Sequence, residues 1–250
     1  MNHKPTILGD NVSIGLNVKF GINVMLYGNV EIRDNAIISH NCIIGDPDKR
    51  AYTEPDYIPK KTIIGKNSFI RPFTIISQDV IVGENFQTGD KVLIRSDTKI
   101  GNNCSVGTLC DIQGKTNIGN HVRMHSNVFL GMLSKIEDYV WLYPGVLIID
   151  DPNPPMGILK GVTIREFGQV GAGSTVLPNV EIGKNAMVAA GSVVNKSVAD
   201  ERVVAGVPAK DFCSVKDLKD TNGNQYLPWK DFLTEYRGLP WQKEIGVSKK

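Results

Sequence analysis

The chain has 250 residues and a formal net charge of +2, with 22% charged and 41% hydrophobic residues. That balance is globular and gives no general attraction for nucleic acid or a membrane surface. No run of about 18 apolar residues could span a bilayer, and the first ten residues lack the apolar stretch of a signal peptide, so the expectation is a cytoplasmic protein.

Ile (26) and Val (25) outnumber Leu (15), a bias toward strands rather than helices. Stepping by six through the sequence gives three in-phase series, at 8–44, 64–148 and 164–194. Of these 28 positions, 25 are Leu, Ile or Val, where composition alone would put about 7; the exceptions are Phe20, Thr88 and Met124. Gly often follows the aliphatic residue, as at Gly15, Gly65, Gly101 and Gly183. The third and fourth positions are turn formers, such as Asp34-Asn35 and Asn102-Asn103. The fifth is small or β-branched, as at Ala36, Ser68, Cys104 and Ser174. The pattern predicts a two-residue strand and a turn, repeated. Three hexads would close one triangular coil of 18 residues, with the first residue inside the prism and the fifth in its corner. Coils would stack about 4.8 Å apart through parallel backbone hydrogen bonds. Cys42, Cys104 and Cys110 fall at the inward fifth position and read as small core residues rather than nucleophiles or ligands. With Cys213 they form neither a disulfide framework nor a CxxC metal site.

The two breaks, at 46–62 and 150–163, are polar and Pro-rich. Because the hexads resume after each, both read as loops leaving a rigid scaffold, where function tends to sit; the first reads equally as a tolerated surface insertion. After the last hexad comes AGVPAK at 205–210, and LPWKDFLTEYR at 227–237 reads as a short helix. A solenoid needs its last coil covered. The expected organisation is therefore a β-helix domain over 1–210 and a cap over 211–250.

The repeat resembles the hexapeptide-repeat, left-handed parallel β-helix family; the hand comes from the resemblance, since periodicity does not encode it. AGVPAK is similar to the C-terminal signature of hexapeptide acetyltransferases that acylate sugars and nucleotide-linked sugars. The stretches 117–129 (NIGNHVRMHSNVF) and 136–155 (IEDYVWLYPGVLIIDDPNPP) resemble the surface-polysaccharide branch, many of whose members N-acetylate amino sugars. The resemblance implies an acetyl-CoA-dependent acetyltransferase without a metal, assembled as a homotrimer with active sites between adjacent prisms. It also implies CoA lying along the groove toward the C-terminal coils.

Residue columns can be read from the 18-residue coil. Gly171 and Ala189 stack one coil apart, as do Ala172 and Ala190, leaving backbone open to an extended pantetheine arm. Pro208 and Ala209 are candidates for the adenine pocket, and Lys210 and Lys196 for the CoA phosphates. Of four histidines, His3 lies outside the hexads, His40 lies far from the donor end, and His121 reads as an exposed turn residue. His125 follows the inward Met124 and should point outward, with Tyr143 one coil on and Arg123 and Trp141 in the adjacent column. It is the candidate base, since its pKa lies near neutrality. Asn127 sits at the next turn. The Asp150-Asp151 loop is expected beside this face, Asp150 orienting the base and Asp151 holding sugar hydroxyls or ammonium, or both simply capping a turn. Asp90 in TGD (88–90) occupies a position where sequences of this kind often carry His; the departure leaves substrate-assisted proton transfer open as an alternative. The outward aromatics read equally as interface residues.

A γ-class carbonic anhydrase needs three His on zinc, and only His121 and His125 lie near each other. A nucleotidyltransferase would place a Gly-rich α/β domain before the repeats, which begin at Leu8. O-acetylation of a saccharide, an acyl-carrier-protein-dependent acyltransferase and a non-catalytic scaffold solenoid remain open alternatives.

Overall fold

A computed structural model describes residues 3–154, 157–219 and 221–223. The strands form three parallel sheets of ten, nine and eleven members, and within each sheet every strand up to the last coil pairs with the strands three before and three after it. That ordering is the signature of a triangular parallel β-helix. Between the first and last coils and away from the excursions the register is 18 residues, as in Ser105↔Arg123 and Arg123↔Trp141.

The first hexad residue fills the interior as expected. From Phe20 to Val194 every in-phase position is buried; Ile14 is exposed in the open first coil, and Ile7 rather than the expected Leu8 aligns with the inward Leu26, so the first hexad is shifted by one residue. Turn chemistry follows from backbone geometry. The fourth hexad position adopts the left-handed conformation, and Asn is the commonest residue there, as at Asn17, Asn35, Asn67, Asn85 and Asn103. Asn tolerates this region better than other non-Gly residues. Its side chain also bonds to the next coil: Asn17 donates to Asn35, Asn35 to Asn67, Asn67 to Asn85 and Asn85 to Asn103, at 2.9–3.3 Å. Polar fifth-position residues are satisfied by carbonyls inside the corner. Ser68 Oγ donates to Gly65 O at 2.8 Å, and Cys104 and Cys110 Sγ donate to Gly119 O and His125 O at 3.0 Å.

The first excursion carries a five-residue helix, Lys49–Thr53, capped by Asp48. It is pinned to the prism through Arg50, which reaches Asp48, Asp79 and Asp97 at 2.6, 3.3 and 3.0 Å. The Tyr57 hydroxyl also donates to Asp79. The loop therefore packs as a structured element rather than a tolerated insertion. At the other end, strand Arg202–Ala205 continues the eleven-stranded sheet and turns back as an antiparallel hairpin with Lys210–Ser214. The expected boundary at 210 thus falls at the first residue of a strand, and the sheet runs on to Ser214. The expected helix at 227–237 lies outside the described residues.

Candidate active site

Strand Arg123–Met124 belongs to the eleven-stranded sheet. Met124 points inward and is buried; Arg123 and His125 stand outward on either side of it. One coil on, Trp141 and Tyr143 take the same two positions. The geometry is a stack: His125 lies 5.6 Å from Trp141 and 5.7 Å from Tyr143 with ring planes within 8°, and Trp141 and Tyr143 are 5.3 Å apart. The Arg123 guanidinium lies over Trp141 at 5.7 Å, a cation–π contact. The Tyr143 hydroxyl donates to the buried Gln169 at 3.3 Å. The structure thus brings Arg123, His125, Trp141 and Tyr143 together on one face.

On the side of His125 away from Tyr143 the wall drops. The corresponding positions one and two coils back are Gly107 and Gly89. A Cβ on Gly107 would meet His125 C and Ser126 N at 2.5 Å, and one on Gly89 would meet Thr108 N at 2.3 Å. Close coil stacking therefore requires glycine at both, and the result is a groove of about 210 Å³ lined by Gln87, Ser105, Arg123 and His125. Burial and the neighbouring Arg123 charge both hold His125 below the ordinary histidine pKa, burial being the larger cause. The imidazole is therefore neutral at neutral pH. Its Nε2 is shielded from solvent and has no hydrogen-bond partner among the described residues.

The acidic candidates are placed elsewhere. Asp150 follows strand Leu147–Ile148 of the ten-stranded sheet, and its Oδ2 accepts from Met132 N–H at 2.6 Å. It caps the next corner of the prism and does not orient His125 within the chain, because strand Phe129–Leu130 separates the two corners. Asp151 closes a local turn by accepting from Asn153 N–H at 3.0 Å. Asp90 sits at the turn two coils before Ser126, but Arg71 holds its carboxylate at 2.8 Å and lowers its pKa. Asn127 occupies the left-handed turn beside His125, its N–H bonded to Thr108 O.

From His125 a side-chain-poor strip runs along the same corner toward the C-terminal hairpin: Pro144-Gly145, Gly171-Ala172-Gly173, Ala189-Ala190-Gly191, then Ala205-Gly206. Gly145, Gly173, Gly191 and Gly206 all have positive φ, and a Cβ at Gly173 or Gly191 would touch nothing within 4 Å. Glycine there is set by the turn conformation, and the strip stays flat. Four coil steps of about 4.8 Å span roughly 19 Å from His125 to the hairpin. AGVPAK forms the hairpin turn, with Ala209 N–H donating to Val193 O at 2.8 Å. Lys196 and Lys210 line one depression of about 540 Å³ at that end, while the expected adenine residue Pro208 sits on the exposed tip.

Two features escaped the sequence reading. His121, expected exposed, is half-buried in a second aromatic column at the turn before the strand: it stacks on Tyr139 at 4.6 Å, and Tyr139 on Phe167 at 4.7 Å. Counting one coil onward from His121 would have found Tyr139; Phe167 is hidden by the second excursion. The groove-lining Gln87 and Ser105 carry no motif. Among the described residues, no group of three or more His, Cys, Asp or Glu is arranged to hold a metal, and no helix is long and apolar enough to cross a membrane.

Residues 161–196 match the family described as bacterial transferase hexapeptide (six repeats). Residues 161–196 are thus identified as hexapeptide repeats of that family. Its fold is similar to that of UDP-N-acetylglucosamine O-acyltransferase from Moraxella catarrhalis, with a TM-score of 0.63 and 22% identity over 78% of this chain and 74% of that one. A serine acetyltransferase of Buchnera aphidicola is 44% identical over 112 residues, covering 39% of this chain and 40% of the relative. A 2,3,4,5-tetrahydropyridine-2,6-dicarboxylate N-acetyltransferase of Staphylococcus aureus is 35% identical over 77 residues, 31% of each chain. The chain spans at most two fifths of the length of these two curated relatives.

Proposed function

We propose that this hexapeptide-repeat protein is an acetyl-CoA-dependent acetyltransferase whose acceptor is a sugar, most simply the amino group of a nucleotide-linked amino sugar. The observation that carries the reading is the flat strip joining His125 to the AGVPAK hairpin. An extended acyl-pantetheine arm fits a backbone surface about 19 Å long with an imidazole at one end. The basic pair Lys196 and Lys210 stands at the other, where the CoA phosphates would lie. The naming of both curated relatives as acetyltransferases supports the same chemistry.

In this reading the acceptor amine attacks the thioester carbonyl, neutral His125 takes the proton the amine loses, and the thiolate of CoA leaves. Holding both reactants along one corner supplies the proximity term, and Trp141 and Tyr143 offer an aromatic wall for the sugar. We further propose a homotrimer in which the neighbouring prism closes the side of the groove that a single chain leaves open. A thiol-release assay with acetyl-CoA against a panel of nucleotide-linked amino sugars tests the proposal. Turnover with at least one acceptor is expected; absence of both turnover and CoA binding overturns it.

A further inference from the structure

Among the described residues, Arg33, Arg50, Arg71, Arg95, Arg165 and Arg202 each hold a carboxylate within 4 Å. Arg123 does not, although it is less exposed to solvent than a surface arginine and burial pulls its pKa down. Its contact is the face of Trp141, which satisfies the ring of the guanidinium but not its N–H donors. The sheet around it offers no acid. Its outward column reads Phe69, Gln87, Ser105, Arg123, Trp141, Gln169 by register, and the column beside it reads Arg71, Gly89, Gly107, His125, Tyr143, Gly171. Of the acids at the adjoining turns, Asp90 is already paired with Arg71 and Asp138 accepts from Asn120 N–H. A partly desolvated guanidinium without a counter-ion is costly, and here it opens onto the glycine-floored groove.

We infer that Arg123 is the receptor for an oxyanion, a carboxylate or a phosphate, carried by the acceptor, and so selects an acidic acceptor over a neutral one. The inference rests on the groove being the acceptor site proposed above. The anion belongs to the acceptor rather than to CoA because the groove opens from His125 toward Gly107 and Gly89. The strip proposed for the donor runs the opposite way, to Lys196 and Lys210. Gln87 and Ser105 on the groove wall supply neutral hydrogen-bond donors that an oxyanion can share.

His125 reports on the site without any need for turnover. The charged and titratable groups facing it are Arg123 on its own strand, Tyr143 on the next, and the Arg71–Asp90 pair beyond Gly107. An anion seated on Arg123 cancels the positive charge that disfavours the imidazolium, so the His125 pKa must rise. Imidazole NMR titrations of the full-length protein would be run with inorganic phosphate and with sodium acetate, against chloride at equal ionic strength. In the wild type either probe raises the His125 pKa, and the stronger responder distinguishes phosphate from carboxylate. In R123Q the free-protein pKa is already raised and neither probe moves it, whereas R123K keeps the charge and the response. With acetyl-CoA and three acceptors (a neutral amino sugar, its phosphate and its uronic acid), R123Q lowers the acidic-to-neutral ratio of kcat/KM about 10- to 100-fold, the range of a charged hydrogen bond. No response of His125 to phosphate or acetate, or an unchanged ratio in R123Q, overturns the inference. So does dissociation of the wild-type oligomer by R123Q in sedimentation, which would assign the guanidinium to a subunit contact. If CoA fails to bind while phosphate still raises the His125 pKa through Arg123, the acetyl-transfer reading falls and the anion site stands.

Discussion

His125 draws its chemistry from what stacks on it, and each cause can be removed separately. Burial against Trp141 and Tyr143 and the Arg123 charge keep its folded pKa below 6.5. Because the unfolded chain binds the proton more readily, the stability tied to this group is complete above pH 6.5 and is lost as pH falls through 6.5 toward the folded value. The acid limb of kcat/KM should accordingly lie below pH 6.5 and move upward in R123Q, which a pH–rate profile measures. His125→Ala should lower kcat about 10²- to 10⁴-fold, the usual contribution of a positioned base; full kcat across the pH range would remove His125 as the base. The cysteines follow the same physics with the opposite outcome. Burial pushes Cys42 and Cys110 up to about 11 and Cys104 to about 12, so thiol reagent should label Cys213 alone in the native protein, as mass spectrometry of the labelled chain would check. His125 was legible in the sequence because the hexad phase fixes which way it points. Asp150 takes the turn-capping reading, and spacing could not choose it because a carboxylate's partner depends on which prism corner it reaches.

At the scale of one coil, the glycines separate into two physical kinds. Gly107 is required by contact and Gly191 by conformation. Gly107→Ala would force a Cβ into the backbone of the next coil and should cost about 1–3 kcal/mol through overpacking. Gly191→Ala meets open space and carries only the left-handed penalty of about 1–2 kcal/mol. Thermal unfolding should rank G107A below G191A. The first excursion is the other element with a definite prediction. Asp79 has a side chain 1% exposed and accepts from Arg50, the Tyr57 hydroxyl and Lys60 N–H, so Asp79→Ala leaves the last two without their acceptor while Arg50 keeps Asp48 and Asp97, a local loss of about 1–3 kcal/mol. Limited proteolysis should then cut within 46–62 in the variant and spare the wild type. The sequence placed this loop correctly but could not show it was anchored, because Asp79 reads as one more turn residue until the loop is seen packed on it.

Over the whole molecule, stability is distributed coil by coil, since each coil touches only its neighbours. Ile112 is fully buried in the middle, so Ile112→Ala should cost about 2–5 kcal/mol. Ile14, chemically identical and in phase but 43% exposed at the open end, should cost much less; denaturant midpoints of the two variants decide it. The hexad repeat by itself determined the solenoid, the inward and outward direction of each side chain, the turn residues and the positions of both excursions. All of these follow from a local rule, two extended residues and a left-handed turn, whose interruptions mark the excursions. Tertiary structure decided what lies between columns: the glycine-floored groove, the aromatic column of His121, Tyr139 and Phe167, the hairpin made by AGVPAK, and the want of an acid near Arg123. Those depend on which residues become neighbours across excursions of unequal length and around a corner, where separation in sequence no longer measures distance in space.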